Sequence, residues 1–129
     1  MGTIIPPEGI KMSASEFVDI AGRWARRLED ETAARHGISI AEARAIVSRQ
    51  TVIPAGTLEN LRKRRLKGIG AYAYDRLKAA VIRQLEAEMR SLEHELQCLR
   101  ATGADPRESE VQEVVASLQK VRSTLGIEG

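Results

Sequence analysis

The chain is poor in the residues on which most site chemistry depends. Cys98 is its only cysteine, and His36 and His94 are its only histidines. An internal disulfide is therefore impossible, and a four-ligand zinc site of the usual Cys and His kind cannot be assembled within one chain. No metal and no cofactor is expected. Aromatic residues make up 3% of the sequence, too few for the stacking platforms that hold single-stranded nucleic acid. No apolar run approaches the roughly 20 residues that a membrane span needs. The N-terminal residues also lack the basic-then-apolar build of a secretory signal, so a soluble, cytoplasmic chain without membrane association is expected. There is no glycine-rich phosphate loop and no nucleophile and base in a recognisable motif, so no catalytic residue is assigned.

What is present is charge, unevenly spread. The 129 residues hold 20 Lys and Arg against 18 Asp and Glu, a net +2 that says little by itself. Residues 35–78, however, carry ten basic residues against only Glu42, Glu59 and Asp75, while the flanking segments are both net acidic. Only this basic centre is built to meet a polyanion. The length suits one small domain with a helical extension.

The periodicity is helical throughout, and an all-α fold is expected. Residues 1–12 contain Pro6, Pro7 and Gly9 without a sustained period and read as a flexible arm. Ser13 and Glu16 have capping-box spacing and open a helix that buries Phe17, Ile20, Ala21, Trp24 and Leu28 and stops at His36-Gly37. Ser39 and Glu42 repeat the cap for a short second helix facing inward through Ile40, Ala43, Ile46 and Val47. Pro54 suits the first turn of a third helix, expected over 54–67, with Leu58, Leu61 and Leu66 inward and Gly68 and Gly70 ending it. Residues 13–70 then form one domain and residues 71–129 a second region.

In that second region Ile82, Leu85, Met89, Leu92, Leu96 and Leu99 alternate at spacings of three and four, a heptad seam. After a break at residues 101–106 the pattern resumes with Val111, Val114, Leu118, Val121 and Leu125. Two such helices joined by a short loop predict an antiparallel hairpin. Glutamates flank the first helix, so a parallel coil would set acid against acid; pairing with the downstream helix instead lets Arg122 offset an acid such as Glu86. Leu77, Val81 and Val115 widen the apolar stripe. Two hairpins are therefore expected to pack into a four-helix homodimer through Ile82, Leu85, Met89, Leu92, Leu96, Leu99, Val111, Val115 and Leu118.

Residues 44–63 contain the parts of a helix-turn-helix, namely a small residue in the first helix, a tight turn and two apolar anchors on the second. Ser48, Ile53, Leu58 and Leu61 supply them. Val47-Ser48 and the run Ile53-Pro54-Ala55-Gly56-Thr57-Leu58-Glu59-Asn60-Leu61 resemble the repressor-type helix-turn-helix of bacterial, phage and mobile-element regulators, in which a Thr-Leu-x-Asn stretch opens the recognition helix. The resemblance covers about twenty residues, and it implies a double-stranded-DNA-binding regulator, most simply a repressor, bound as a dimer to a two-fold symmetric operator. The chain departs from the family pattern at Val52, where a glycine is usual, and at Thr51, where an apolar residue is usual. That predicts a longer or differently shaped turn.

With Leu58 and Leu61 inward, the third helix would present Asn60, Lys63 and Arg64 to base edges, since Asn matches adenine and Arg matches guanine. Thr57, Arg62, Arg65 and Lys67 would hold phosphates, joined by Arg49 and Gln50 from the end of the second helix. The ordinary reading of a basic run is a solvated helical face, but on this helix only Glu59 offers an acidic partner, to Lys63. Tyr72 and Tyr74 are expected at the junction of the third and fourth helices, or with a hydroxyl on a phosphate. Trp24 is read as a core or interface residue, His36 as a neighbour of the negative end of its helix, and His94 with Cys98 as packing. The competing functional class is a protein-interaction adaptor or antiactivator, with a protein partner on the helical hairpin or the basic helix. Discrimination between DNA sequences separates the two.

Overall fold

The computed structural model describes residues 12–126. The arm expected over 1–12 lies almost wholly outside them. Five helices and no strand occur among the described residues: α1 (Ala14–His36), α2 (Ile40–Thr51), α3 (Ala55–Arg62), α4 (Ala71–Ala101) and α5 (Ser109–Leu125). They fall into two compact units, 1–81 and 82–129, so the first turns of α4 belong with α1–α3.

Both capping boxes form. The Ser13 hydroxyl accepts from the Glu16 N–H at 3.2 Å while the Ser13 N–H donates to the Glu16 carboxylate at 2.7 Å. Ser39 and Glu42 repeat the exchange at 3.1 and 3.0 Å. The Ser39 backbone N–H, and then its hydroxyl, hold the Glu42 carboxyl below its ordinary pKa. These exchanges satisfy N–H groups that have no partner inside the helix. Between the two helices Gly37 takes the left-handed conformation at φ 63° that a side chain would resist, and α1 stops there.

In the N-terminal unit α1 packs on both α2 and α3, and α2 on α3. The face of α1 that does so is not the one with the largest apolar residues. Its buried row is Val18, Ala21, Gly22, Ala25, Leu28, Glu29, Thr32 and Ala33, whereas Phe17, Ile20 and Trp24 are only half-buried. Small residues let the helices approach: a Cβ on Gly22 would stand 3.3 Å from the Leu61 carbonyl oxygen of α3. The displaced aromatics meet α4 instead. Tyr74 takes the Phe17 ring edge-on at 4.9 Å and the tilted Trp24 ring at 5.0 Å, geometries that suit the ring quadrupoles. Ala43 and Val47 of α2, Ile53, Leu58 and Leu61 of α3 and its approach, and Leu77, Ala80 and Val81 of α4 complete this core.

The C-terminal unit consists of the remainder of α4 packed with α5. Loop 102–108 between them is organised by Asp105, whose carboxylate accepts from the Arg107 backbone at 2.8 Å while its own N–H donates to Glu108 at 3.0 Å. The two apolar rows are buried unequally. Val111, Val114, Leu118 and Val121 of α5 are all buried, but on α4 only Leu85 is, with Met89, Leu92, Leu96 and Leu99 half-buried and Ile82 38% exposed. Val115 of α5 is half-buried as well. Arg122 pairs with Glu93 at 3.2 Å, not with Glu86. No helix among the described residues is long and apolar enough to cross a membrane.

Candidate nucleic-acid interface

The centre of the basic segment is a helix pair, α2 and α3, joined by residues 52–54. The join is short despite the two departures noted at Thr51 and Val52. Thr51 is buried and donates its hydroxyl to the Val47 carbonyl at 2.8 Å, so a polar residue is accommodated there with its hydroxyl satisfied. Val52 itself adopts the left-handed conformation that a glycine would supply, at φ 59°. The Ser48 hydroxyl donates to the Ile53 carbonyl and closes the turn from inside, while Arg76 of α4 donates to the Thr51 carbonyl at 3.3 Å. Stacking over Tyr72 at 4.3 Å holds the Arg76 guanidinium in place. Tyr72 and Tyr74 thus have different roles: one lies exposed beneath a guanidinium and the other packs on α1.

A β-branched residue with positive φ is strained by roughly 1–2 kcal/mol. Val52 is 61% exposed, so little burial repays that strain. Replacing it with glycine is expected to stabilise the N-terminal unit by about 1 kcal/mol, the relief exceeding glycine's entropic cost. Urea unfolding followed by Trp24 fluorescence measures this, and a lower midpoint would contradict the assigned turn geometry.

The third helix is shorter than the expected 54–67. It ends at Arg62, where Arg64 turns left-handed at φ 59°, the Arg64 N–H bonds the Leu61 carbonyl at 3.2 Å and the Arg65 N–H bonds the Asn60 carbonyl at 2.8 Å. This is a Schellman stop with arginine in the place usually held by glycine. Continuing the helix would have stacked cations on successive turns without acids to offset them, which is unfavourable. Arg64, Arg65 and Lys67 therefore lie beyond α3, and the expected ending at Gly68 and Gly70 is replaced by one five residues earlier in the basic run.

Arg62 faces inward. It donates to Glu29 at 3.0 Å and to Asp30 at 3.0 Å, while Arg44 of α2 donates to the same Glu29 at 3.0 Å. Burial alone would lower the Arg62 pKa, but the hydrogen bonds to Asp30 and Glu29 outweigh it and the net shift is upward. An arginine expected to hold phosphate is thus occupied in joining three helices. Lys63 pairs with Glu59 at 2.6 Å, the i to i+4 contact anticipated on this helix, and that lysine, followed by weaker contributions from Arg44 and Arg65, lowers the Glu59 pKa. Thr57 and Asn60 are half-buried on α3, and their side-chain polar groups make no hydrogen bond among the described residues. Arg49 and Gln50 are exposed in the last turn of α2, and Arg64, Arg65 and Lys67 are exposed after α3.

The residues that sequence reasoning missed are Glu29 and Arg44. The row Val18, Gly22, Ala25 and Glu29 runs at helical spacing straight into the buried carboxylate, and that spacing is the signal that could have found it. His94 and Cys98 lie 3.6 Å apart on an exposed face of α4, and among the described residues no three His, Cys, Asp or Glu side chains group to hold a metal. The chain matches no protein-family model, no curated protein and no solved structure.

Proposed function

We propose that this chain is a sequence-specific double-stranded-DNA-binding regulator, acting as a repressor, that reads the major groove with α3. The observation carrying the reading is the helix pair α2–α3: its turn is closed by Val52 and Ser48, and α3 carries the half-buried, unengaged Thr57 and Asn60 with exposed cations following. Asn60 and Lys63 read base edges, Lys63 after leaving Glu59. Thr57, Arg49, Gln50, Arg64, Arg65 and Lys67 hold the backbone, Arg64 being assigned there because it lies off the helix. Arg62 serves the fold. The C-terminal unit is an antiparallel hairpin that dimerises through the half-buried row of α4, matching the two-fold symmetry of an operator. Occupancy of a promoter then represses without catalysis.

Selection from a random DNA pool, followed by mobility shifts at two salt concentrations, tests this. A two-fold symmetric motif is expected. Asn60→Ala should cost about 1–3 kcal/mol on that motif and relax one position, whereas Arg65→Ala should weaken all sequences alike and flatten the salt dependence by roughly one unit of slope. Failure to enrich any sequence would sink the proposal in favour of an adaptor whose partner is a protein.

A further inference from the structure

We infer that the N-terminal unit carries a binding site for a small phosphorylated molecule, in the cleft between α1 and the segment that follows α3. The geometry behind it is independent of the DNA reading. The cleft has a volume of about 450 Å³, within the range of ordinary small-ligand sites. Its walls carry Arg23 and Arg26 from α1 and Arg64 and Lys67 from the segment after α3, against a single carboxylate, Asp19.

None of these four cations forms a side-chain ion pair or hydrogen bond among the described residues, although acids are at hand elsewhere in the unit and Arg35, Arg44, Arg62 and Lys63 all find them. Arg26 is half-buried, its guanidinium lying 3.6 Å from where a Cβ on Gly22 would stand. The glycine leaves room for that guanidinium over the backbone. Four positive charges around one concavity repel one another, and a multiply charged anion removes that repulsion while accepting their hydrogen bonds. Guanidinium forks match phosphate oxygens in pairs, which favours phosphate over a monovalent anion. The cleft is concave with an apolar side at Val18, Leu61 and Leu66, so a compact phosphorylated molecule fits it better than a straight duplex backbone does. Because Arg64 and Lys67 also belong to the proposed DNA surface, such a ligand and DNA compete.

Titration of the full chain with inorganic pyrophosphate at constant ionic strength, followed by calorimetry, tests the site. Saturable one-to-one binding per chain is expected. Arg26→Gln should weaken it about tenfold or more, as losing a charge-assisted pair does, whereas Lys120→Gln in the other unit, an equal loss of charge, should leave it unchanged. The same variants are titrated with a random-sequence duplex to separate a free phosphate source from a nucleic-acid backbone. Loss of pyrophosphate affinity in Arg26→Gln with duplex affinity within twofold of wild type supports the inference. Absent saturation, an equal loss in Lys120→Gln, or an effect of Arg26→Gln on the duplex alone would each overturn it. Each of these outcomes keeps its meaning whether or not the DNA selection enriches a motif.

Discussion

Replacing Glu29 with alanine is expected to destabilise the N-terminal unit by about 3 kcal/mol, the largest loss from any one polar side chain in it. Glu29 is fully buried, at 0% exposure, and receives Arg44 from α2 and Arg62 from α3. Its removal leaves two guanidinium groups without their common acceptor. Both are partly exposed and regain some water, which holds the loss to the lower part of the range for a broken buried pair. Arg62 keeps Asp30, an exposed partner that contributes little. The second consequence concerns function: α3 loses the buried one of the two carboxylates by which Arg62 ties its C-terminal end to α1. DNA affinity should therefore fall with stability, although Glu29 touches no proposed DNA contact. Thermal melting and urea unfolding measure the first effect. A loss under about 1 kcal/mol would show the network to be neutral, with helix packing alone setting the orientation of α3.

The second large effect separates two rows of leucine in the C-terminal unit. Leu118 of α5 is buried, at 3% exposure, whereas Leu92 of α4 is half-buried. Leu118→Asp should cost about 4 kcal/mol, from lost packing and an unpaired carboxylate among aliphatic side chains, and should melt α5. Leu92→Asp should leave the helices formed but, if the proposed dimer forms through the half-buried row of α4, lower the mass seen by light scattering to that of a monomer. Far-ultraviolet circular dichroism of both variants distinguishes the cases. Helical content retained in Leu118→Asp would contradict its burial, and an intact dimer in Leu92→Asp would place the self-association surface elsewhere.

The helix starts were legible because their cause is local. A serine and a glutamate three residues apart satisfy each other's backbone at Ser13 and at Ser39 whatever the rest of the chain does, and Gly37 permits one left-handed residue without reference to any partner. The heptad rows were legible for the same reason, since spacing alone puts residues on one face of a helix. Which face becomes the core is not a local property. On α1 the aromatic residues promised the greater burial, yet the row of small residues won, because close approach to Leu61 of α3 needs Gly22 and its neighbours.

Charge was legible as a footprint and not as an assignment. Arg62, Lys63, Arg64, Arg65 and Lys67 read alike along the chain, but tertiary contacts sort them: Arg62 to Glu29, Lys63 to Glu59, and the rest past a helix end that no glycine announced. The seam of the C-terminal unit divides in the same way. Its periodicity follows from sequence, whereas the difference between a buried α5 row and a half-buried α4 row arises only when the two helices pack, because periodicity places residues on one face without saying how fully a neighbour covers it. An all-helical chain, its caps, its apolar rows and its basic centre thus follow from residue order and spacing. Which of those rows and charges are used internally, and which stay exposed, is settled by packing, since burial and ion pairing depend on distances between segments that lie far apart along the chain.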